Sequence, residues 1–400
     1  MGEGLFDGLK VIDCASFVAA PAAAALLGDF GADVIKVEPL DGDPYRRSYA
    51  QIQPLPKHNH GWVLGARNKR SLAIDLKSPA GLDVLYRLLD SADVFITNLP
   101  LTARRRLRIG YEDVAPTRPR LIYASFTAYG ETGPEADKPG FDSTSYWARS
   151  GLMDAARANE EAEPLRAISG VGDQPMGVTL YAAIVSALYR RERTGQGGMV
   201  GASLLVGGLW ANALSVQARL CGTVLPTRQP RHKVTNACVN TYRCRDGRWF
   251  NMMILNEARQ LKGLLAALGC AELASDPRFA TAEGRRSNAS ELVAIFDRKF
   301  AERDFAEWRV ALDRVGITFD MVGTLDDILD DPQIRAVGAI VPMAGDPELM
   351  TVNSPFELGG VDKTPPGRAP ALGQHSTEIL REAGLGEAEI EHLKAINVTA

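Results

Sequence analysis

The sequence predicts an α/β fold, with a parallel sheet in its first part and a smaller α/β segment further on. Two observations carry this. A strand-like run, a helical run and a second strand-like run follow one another close to the start, which is a βαβ unit. The alternation then repeats as far as residue 126, and it resumes in shorter pieces near residue 240 after a stretch containing Pro and Arg.

The elements run as follows. Leu9–Asp13 is a short strand, Pro21–Phe30 an Ala/Leu-rich helix and Ala32–Glu38 a second strand. Ser71–Asp75, Pro79–Asp90 and Asp93–Thr97 give a further strand, helix and strand. A helix around Tyr111–Thr117 leads to a strand over Leu121–Phe126. Gly177–Arg193 is a strong helix whose last turn is basic, complementing the helix dipole, and Thr194–Gly198 stops it. Arg219–Ala237 reads as linker. Beyond it come a strand at Asn240–Cys244, a turn at Arg245–Gly247, a strand over Trp249–Ile254 and a helical stretch to Leu325. Short strands, Pro365-Pro366 and a helix over Ser376–Ala383 close the chain, with Gly384 as the stop. The expected divisions are 1–217, 218–330 and 331–400.

Composition excludes several classes. Hydrophobic residues at 46% and charged residues at 24% describe a globular chain and not a disordered one. A net charge of −4 gives no general attraction to nucleic acid or to an anionic membrane. The opening MGEGLFDGLK lacks the order of a signal peptide, and Pro21 interrupts the longest apolar stretch, Phe17–Leu27, which is too short to span a bilayer. The five cysteines (14, 221, 238, 244, 270) form no CxxC pair and no metal spacing, as in a reduced, cytoplasmic protein. His58 and His60 lack a third ligand, so no metal is expected.

A strand ending in Glu38 invites a dinucleotide reading, because an acid there can bind ribose. The first turn, Ala15 to Pro21, contains no glycine, and a pyrophosphate needs a Gly-rich turn to approach the backbone. The α/β expectation survives and the nicotinamide one does not.

Few residues can carry chemistry. Asp173 precedes the long helix in Val171-Gly172-Asp173-Gln174-Pro175. Its bland role is an N-cap, with Pro175 in the first turn. Its functional role uses the same position: a carboxylate kept ionised by the helix end could attack a thioester, with backbone N–H groups nearby for the oxyanion. Basic clusters at Lys69-Arg70 with Lys77, and at Arg104-Arg105-Arg106 with Arg108, are by default solvated faces. Both flank strands of one predicted sheet, where ligands bind beyond the strand ends, and together they would suit a ligand with several phosphates.

The segments Gly8–Asp13 and Leu27–Glu38 resemble the class III CoA-transferases, the family of formyl-CoA:oxalate and carnitine CoA-transferases, to which α-methylacyl-CoA racemases are close relatives. Further matches are Asn68–Leu72, Leu121–Ser125, Tyr129–Pro134, Tyr189–Gly195, Asp331–Gln333 and Arg368–His375. The resemblance implies a Rossmann-like large domain, a small domain, a C-terminal segment returning to the large one, and an interlocked homodimer. It implies CoA and acyl-CoA as substrates with a carboxylic acid, no permanently bound cofactor, and Asp173 as nucleophile. CoA contacts fall on Ser16, Phe17, Val18, Lys77, Asn98 and Arg106, with Arg70 in the same basic set.

Departures from the family narrow the expectation. The racemases carry a His where Phe141 stands, and a Phe ring cannot share a two-base proton exchange with Asp173, so transfer is favoured over epimerisation. A non-catalytic CoA-binding relative, with Asp173 only a cap, is the other rival. Oxalate-type transferases have a Gln at the position of Val18 and a glycine-rich loop near Thr235–Thr241, both missing here. A larger dicarboxylic or aromatic acid is the expected acceptor. Pro39 replaces an Arg that contacts CoA in some members. Ser145–Gly151 reads as core or as a lining of the acyl pocket.

Overall fold

The computed structural model describes residues 4–400 apart from Gln53 and Leu55, so the first three residues of the MGEGLFDGLK opening lie outside it. The described residues form two compact units. One holds the chain up to Ala155, Leu165–Thr223 and Arg335–Ala400; the other holds Ala156–Pro164 and Val224–Ile334.

The first unit is built on six strands: β1 (Lys10–Asp13), β2 (Asp33–Glu38), β3 (Lys69–Ala73), β4 (Val94–Thr97), β5 (Ile122–Thr127) and β6 (Gly198–Ser203). They pair in parallel in the order β3-β2-β1-β4-β5-β6. Helices α1 (Ala19–Gly28), α2 (His60–Ala66), α3 (Pro79–Asp90), α4 (Leu101–Leu107), α5 (Tyr111–Val114), α6 (Leu152–Ala155), α7 (Asp173–Thr194) and α8 (Leu204–Ala211) connect or cover them.

Both faces of the sheet are covered, which is why its strands read as apolar runs. Val11, Val34, Ile96 and Ala124 face α1 and α7. Their neighbours Ile12, Ile35, Phe95 and Tyr123 face α3 and two closing helices, Ser376–Glu382 and Glu387–Ala395. The α1–α7 contact is close because both helices present small residues. A Cβ on Gly177 would stand 2.7 Å from the Cβ of Ala22.

Several elements of this unit, β6, α4 and the final helix among them, depart from the sequence reading. β6 lies where only a helix stop was expected: its sequence, GMVGAS, carries two glycines and no regular alternation, and it pairs on one side only. α4 carries the Arg104–Arg106 run, and the final helix follows Gly384 after only two residues. The second unit has a three-stranded antiparallel sheet, β7 (Val239–Arg243), β8 (Trp249–Met253) and β9 (Phe319–Met321), over a core of Tyr242, Phe250, Phe296, Phe300 and Trp308. β9 falls inside the stretch expected to be helical. No helix among the described residues is long and apolar enough to cross a membrane.

Candidate active site

The strand order reverses between β1 and β4, so their carboxyl ends open a crevice. Two loops meet there and are joined by one pair of residues. The Ser16 N–H donates to Asn98 Oδ1 at 2.8 Å, and Asn98 Nδ2 donates to the Ser16 carbonyl at 2.7 Å.

Two cavities lie along this crevice, both within the first unit. One, of about 300 Å³, is lined by Phe17, Val18, Asn98, Phe126, Phe141, Asp173 and Leu204 among others. The second, of about 400 Å³, is lined by Asp41, Asp75, Lys77 and Arg106 along with the ends of β1 and β2. Ser16 and Leu99 belong to both walls, so the cavities are neighbours. Six of the seven positions expected to contact CoA are therefore gathered on one crevice, beside Asp173 and Phe141.

Arg70 is not among them. Its guanidinium binds Asp33 on β2 and then Glu378 and Glu382 of the closing helix, at 2.6 to 2.9 Å. In a parallel strand the direction of the side chain is set by register, and position 70 faces the C-terminal helices. The other arginines divide similarly. Arg104 is buried and donates to the carbonyls of Leu99 and Phe126 and to Glu131, tying the ends of β4 and β5 together. Arg105 pairs with Asp137. Of the run 104–106, only Arg106 faces the cavity. Arg106 and Lys77 are both exposed.

Glu38 is closed to a ribose for a structural reason. Its carboxylate is buried and takes bonds from Arg46, Ser71 and the Asp43 N–H.

Asp173 is not an N-cap. α7 begins at Asp173 itself, with Gly172 in the cap position and no side-chain cap bond. The N–H groups of Gln174 and Met176 are already taken by the carbonyls of Gly170 and Gly172, leaving the carboxylate nothing to cap. Gly172 permits this, because any Cβ there would lie 2.5 Å from the Tyr146 ring. Nor does the helix end keep the acid strong. Burial, and then the neighbouring Asp142 carboxylate, push the Asp173 pKa up to about 7. Desolvation outweighs the helix dipole here, whose effect is modest and confined to the first turn.

Of the two roles expected for Ser145–Gly151, the structure places the segment behind the cavity and not on its wall. Tyr146 and Ser145 are core, and the Tyr146 ring forms the support behind Gly172. Phe141 is 60% exposed on the cavity wall and meets Phe17 edge to face, with centroids 5.9 Å apart.

Two residues near Asp173 escaped the sequence reading. Asp142 has one carboxylate oxygen buried with no hydrogen-bond partner among the described residues. Tyr45 lies on the turn after β2, and its phenol is held above the usual range by burial and by the charges of Asp173 and Asp43. Neither sits at a recognisable spacing from Asp173; only the fold brings them there.

Comparison with known proteins gives the family. A profile described as CoA-transferase family III matches residues 6–376. The chain is 31% identical over 396 residues to the (R)-2-hydroxy-4-methylpentanoate CoA-transferase of Clostridioides difficile, covering 98% of each chain. It is 30% identical over 400 residues to the cinnamoyl-CoA:phenyllactate CoA-transferase of Clostridium sporogenes, covering 98% of this chain and 96% of that one. Among solved structures, a CAIB/BAIF family protein from Brucella suis superposes with a TM-score of 0.84 at 29% identity, covering 96% of this chain and all of that one. The chain belongs to CoA-transferase family III.

Proposed function

We propose that this protein moves CoA from an acyl-CoA donor to a carboxylic acid through covalent intermediates on Asp173. The observation that carries the proposal is the placement of Asp173 in a cavity that adjoins the one lined by Lys77 and Arg106. A thioester can then lie beside the carboxylate while its phosphates lie beside the two cations.

The Asp173 carboxylate attacks the thioester carbonyl, the C–S bond breaks, and CoA leaves as thiolate. That thiolate attacks the aspartyl carbonyl of the mixed anhydride, releasing the donor acid and forming an aspartyl–CoA thioester. The incoming carboxylate attacks this thioester and frees the thiolate again. The thiolate then attacks the acyl carbonyl of the second anhydride, giving the new acyl-CoA and restoring Asp173.

The acceptor is a bulky apolar or aromatic acid, or a larger dicarboxylic one. Phe17, Val18, Phe126, Phe141 and Leu204 supply an apolar wall, and the two relatives compared above are named for branched and aromatic 2-hydroxy acids. Succinyl-CoA or acetyl-CoA is the proposed donor. An interlocked homodimer belongs to the same proposal, supported by Trp210 and Leu214 at 82% and 90% exposure.

The test is mass spectrometry of the enzyme with several acyl-CoAs and a pool of carboxylic acids in deuterated water. New CoA esters, absent with Asp173→Asn, are the expected result. Deuterium entering the α-carbon of an unchanged acyl-CoA would make the enzyme an epimerase instead.

A further inference from the structure

Phe17 adopts a φ of +63°, in the left-handed region. For a bulky residue this conformation costs about 1–2 kcal/mol and persists only where its surroundings impose it. The surroundings here are side chains. Three consecutive N–H groups, of Ala15, Ser16 and Phe17, donate to Asp13, Asn98 and Asp43. The Ala15 carbonyl accepts from Lys36 Nζ.

Asp43 does more than hold one bond. Its Oδ1 accepts the N–H of Phe17 at 3.3 Å and that of Tyr45 at 2.9 Å. Its Oδ2 faces Lys36 Nζ at 3.0 Å, with both side chains at most 2% exposed. Burial alone would weaken the Lys36 ammonium, but Asp13, Asp43 and Glu38 outweigh it and hold its pKa above the ordinary value. One buried carboxylate thus fixes two segments, one on the wall of the Asp173 cavity and one on the wall of its neighbour. The first is the Ser16–Val18 turn, which lines the Asp173 cavity and through Ser16 also its neighbour. The second carries Tyr45, whose ring crowds Gly61 of α2, where a Cβ would meet its hydroxyl at 2.4 Å.

We propose that Asp43, anchored by Lys36, is a positioning residue that holds Phe17 left-handed and thereby sets the reacting cavity against the phosphate-binding one. The proposal rests on the CoA-transfer reading for its kinetic consequence but not for its structural one. Without the Asp43 acceptor, residue 17 relaxes to negative φ and takes the start of α1 with it. The nucleotide end, held by Lys77 and Arg106, stays where it is.

The crystal structure of Asp43→Ala tests the structural claim independently of any reaction. Phe17 leaving the left-handed region is the expected result, and Phe17 remaining near its present φ overturns the proposal. In CoA transfer, Asp43→Ala is expected to lower kcat about 30-fold while the acyl-CoA KM stays within about threefold, because misplacement of reacting atoms affects the chemical step. Glycine takes positive φ freely, so adding Phe17→Gly to Asp43→Ala is expected to restore roughly tenfold of the lost kcat. Equal losses with Phe or Gly at position 17 would reduce Asp43 to a stabilising pair and sink the idea. If Asp43→Ala does not fold, Lys36→Met with Asp43→Leu removes both charges together, an exchange that buried pairs often tolerate. The same loss of left-handed φ and the same rescue are expected of it. A transfer reading that fails while Phe17 still moves leaves the structural claim standing.

Discussion

Ser16 and Asn98 are joined by two hydrogen bonds in opposite directions, and this pair links the loops after β1 and β4 through a side chain. The two loops belong to strands whose onward connections run to opposite sides, and the backbone pairing between them ends with the Cys14 N–H donating to the Ile96 carbonyl at 2.9 Å. The amide is suited to the task because it offers both a donor and an acceptor.

Asn98→Asp retains the acceptor for the Ser16 N–H but sets a carboxylate oxygen against the Ser16 carbonyl. The lost bond and the unpaired carbonyl together are worth about 1–3 kcal/mol. An acyl-CoA KM raised about tenfold or more is expected, with the fold retained in circular dichroism. Steady-state kinetics at saturating acceptor would show it, and an unchanged KM would mean that the clasp does not shape the crevice.

The raised pKa of Asp173 makes two connected predictions. As the nucleophile it must be ionised, so kcat/KM for transfer is expected to rise between pH 6 and 8 with a midpoint near 7. Stability runs the other way. Unfolded, the carboxyl titrates near ~4, so between that value and about 7 the folded protein binds more protons, and stability falls as pH rises through this window. Asp173→Asn removes the buried charge. It is expected to stabilise the protein by roughly 2 kcal/mol at pH 8, allowing for partial solvent screening, and by almost nothing at pH 4. Urea melts at the two pH values check the sign; a variant equally destabilised at both would contradict the burial of an ionised Asp173.

The sequence foretold the sheet because each buried strand is a short apolar run, as in Asp33–Glu38 and Val94–Thr97, and because βαβ spacing dictates parallel pairing. β6 was hidden by its glycines and by pairing that depends on β5 alone. The position of Asp173 at the start of the long helix was legible, but its raised pKa was not. The helix end is written in the local sequence, whereas the desolvation and the Asp142 charge that overcome it come from a segment some thirty residues away. Arg70 misled for the opposite reason. Its local cluster looked like a phosphate site, and two of the three acids that neutralise it lie more than 300 residues downstream.

Arg70→Ala is therefore expected to spare ligand binding. The acyl-CoA KM should stay within about twofold, while the three carboxylates left without a partner loosen the Ser376–Glu382 helix. Arg70 is only partly exposed but its partners face solvent, so a loss of about 1 kcal/mol is expected. Hydrogen exchange of that helix and a direct CoA titration separate the two effects. A tenfold weaker CoA affinity with unchanged exchange would return Arg70 to the phosphate site.

Gly177 couples the core to the proposed nucleophile, since it lies one helical turn beyond Asp173 on the face that packs against α1. A Cβ there would stand 2.7 Å from Ala22 Cβ and 3.0 Å from the Ala19 carbonyl oxygen, and the latter is backbone that cannot be trimmed away. Gly177→Val must push α7 outward from α1, and overpacking of this kind costs about 1–3 kcal/mol. The displacement reaches Asp173 within one turn, so transfer is expected to fall about tenfold even at temperatures where the variant is fully folded. Ala22→Gly in the same chain relieves the side-chain clash but not the carbonyl contact, and is expected to recover part of the stability. Thermal melts and initial rates on the single and double variants decide it: full activity in a folded Gly177→Val protein would show that the helix start is set by Gly172 and Tyr146 alone.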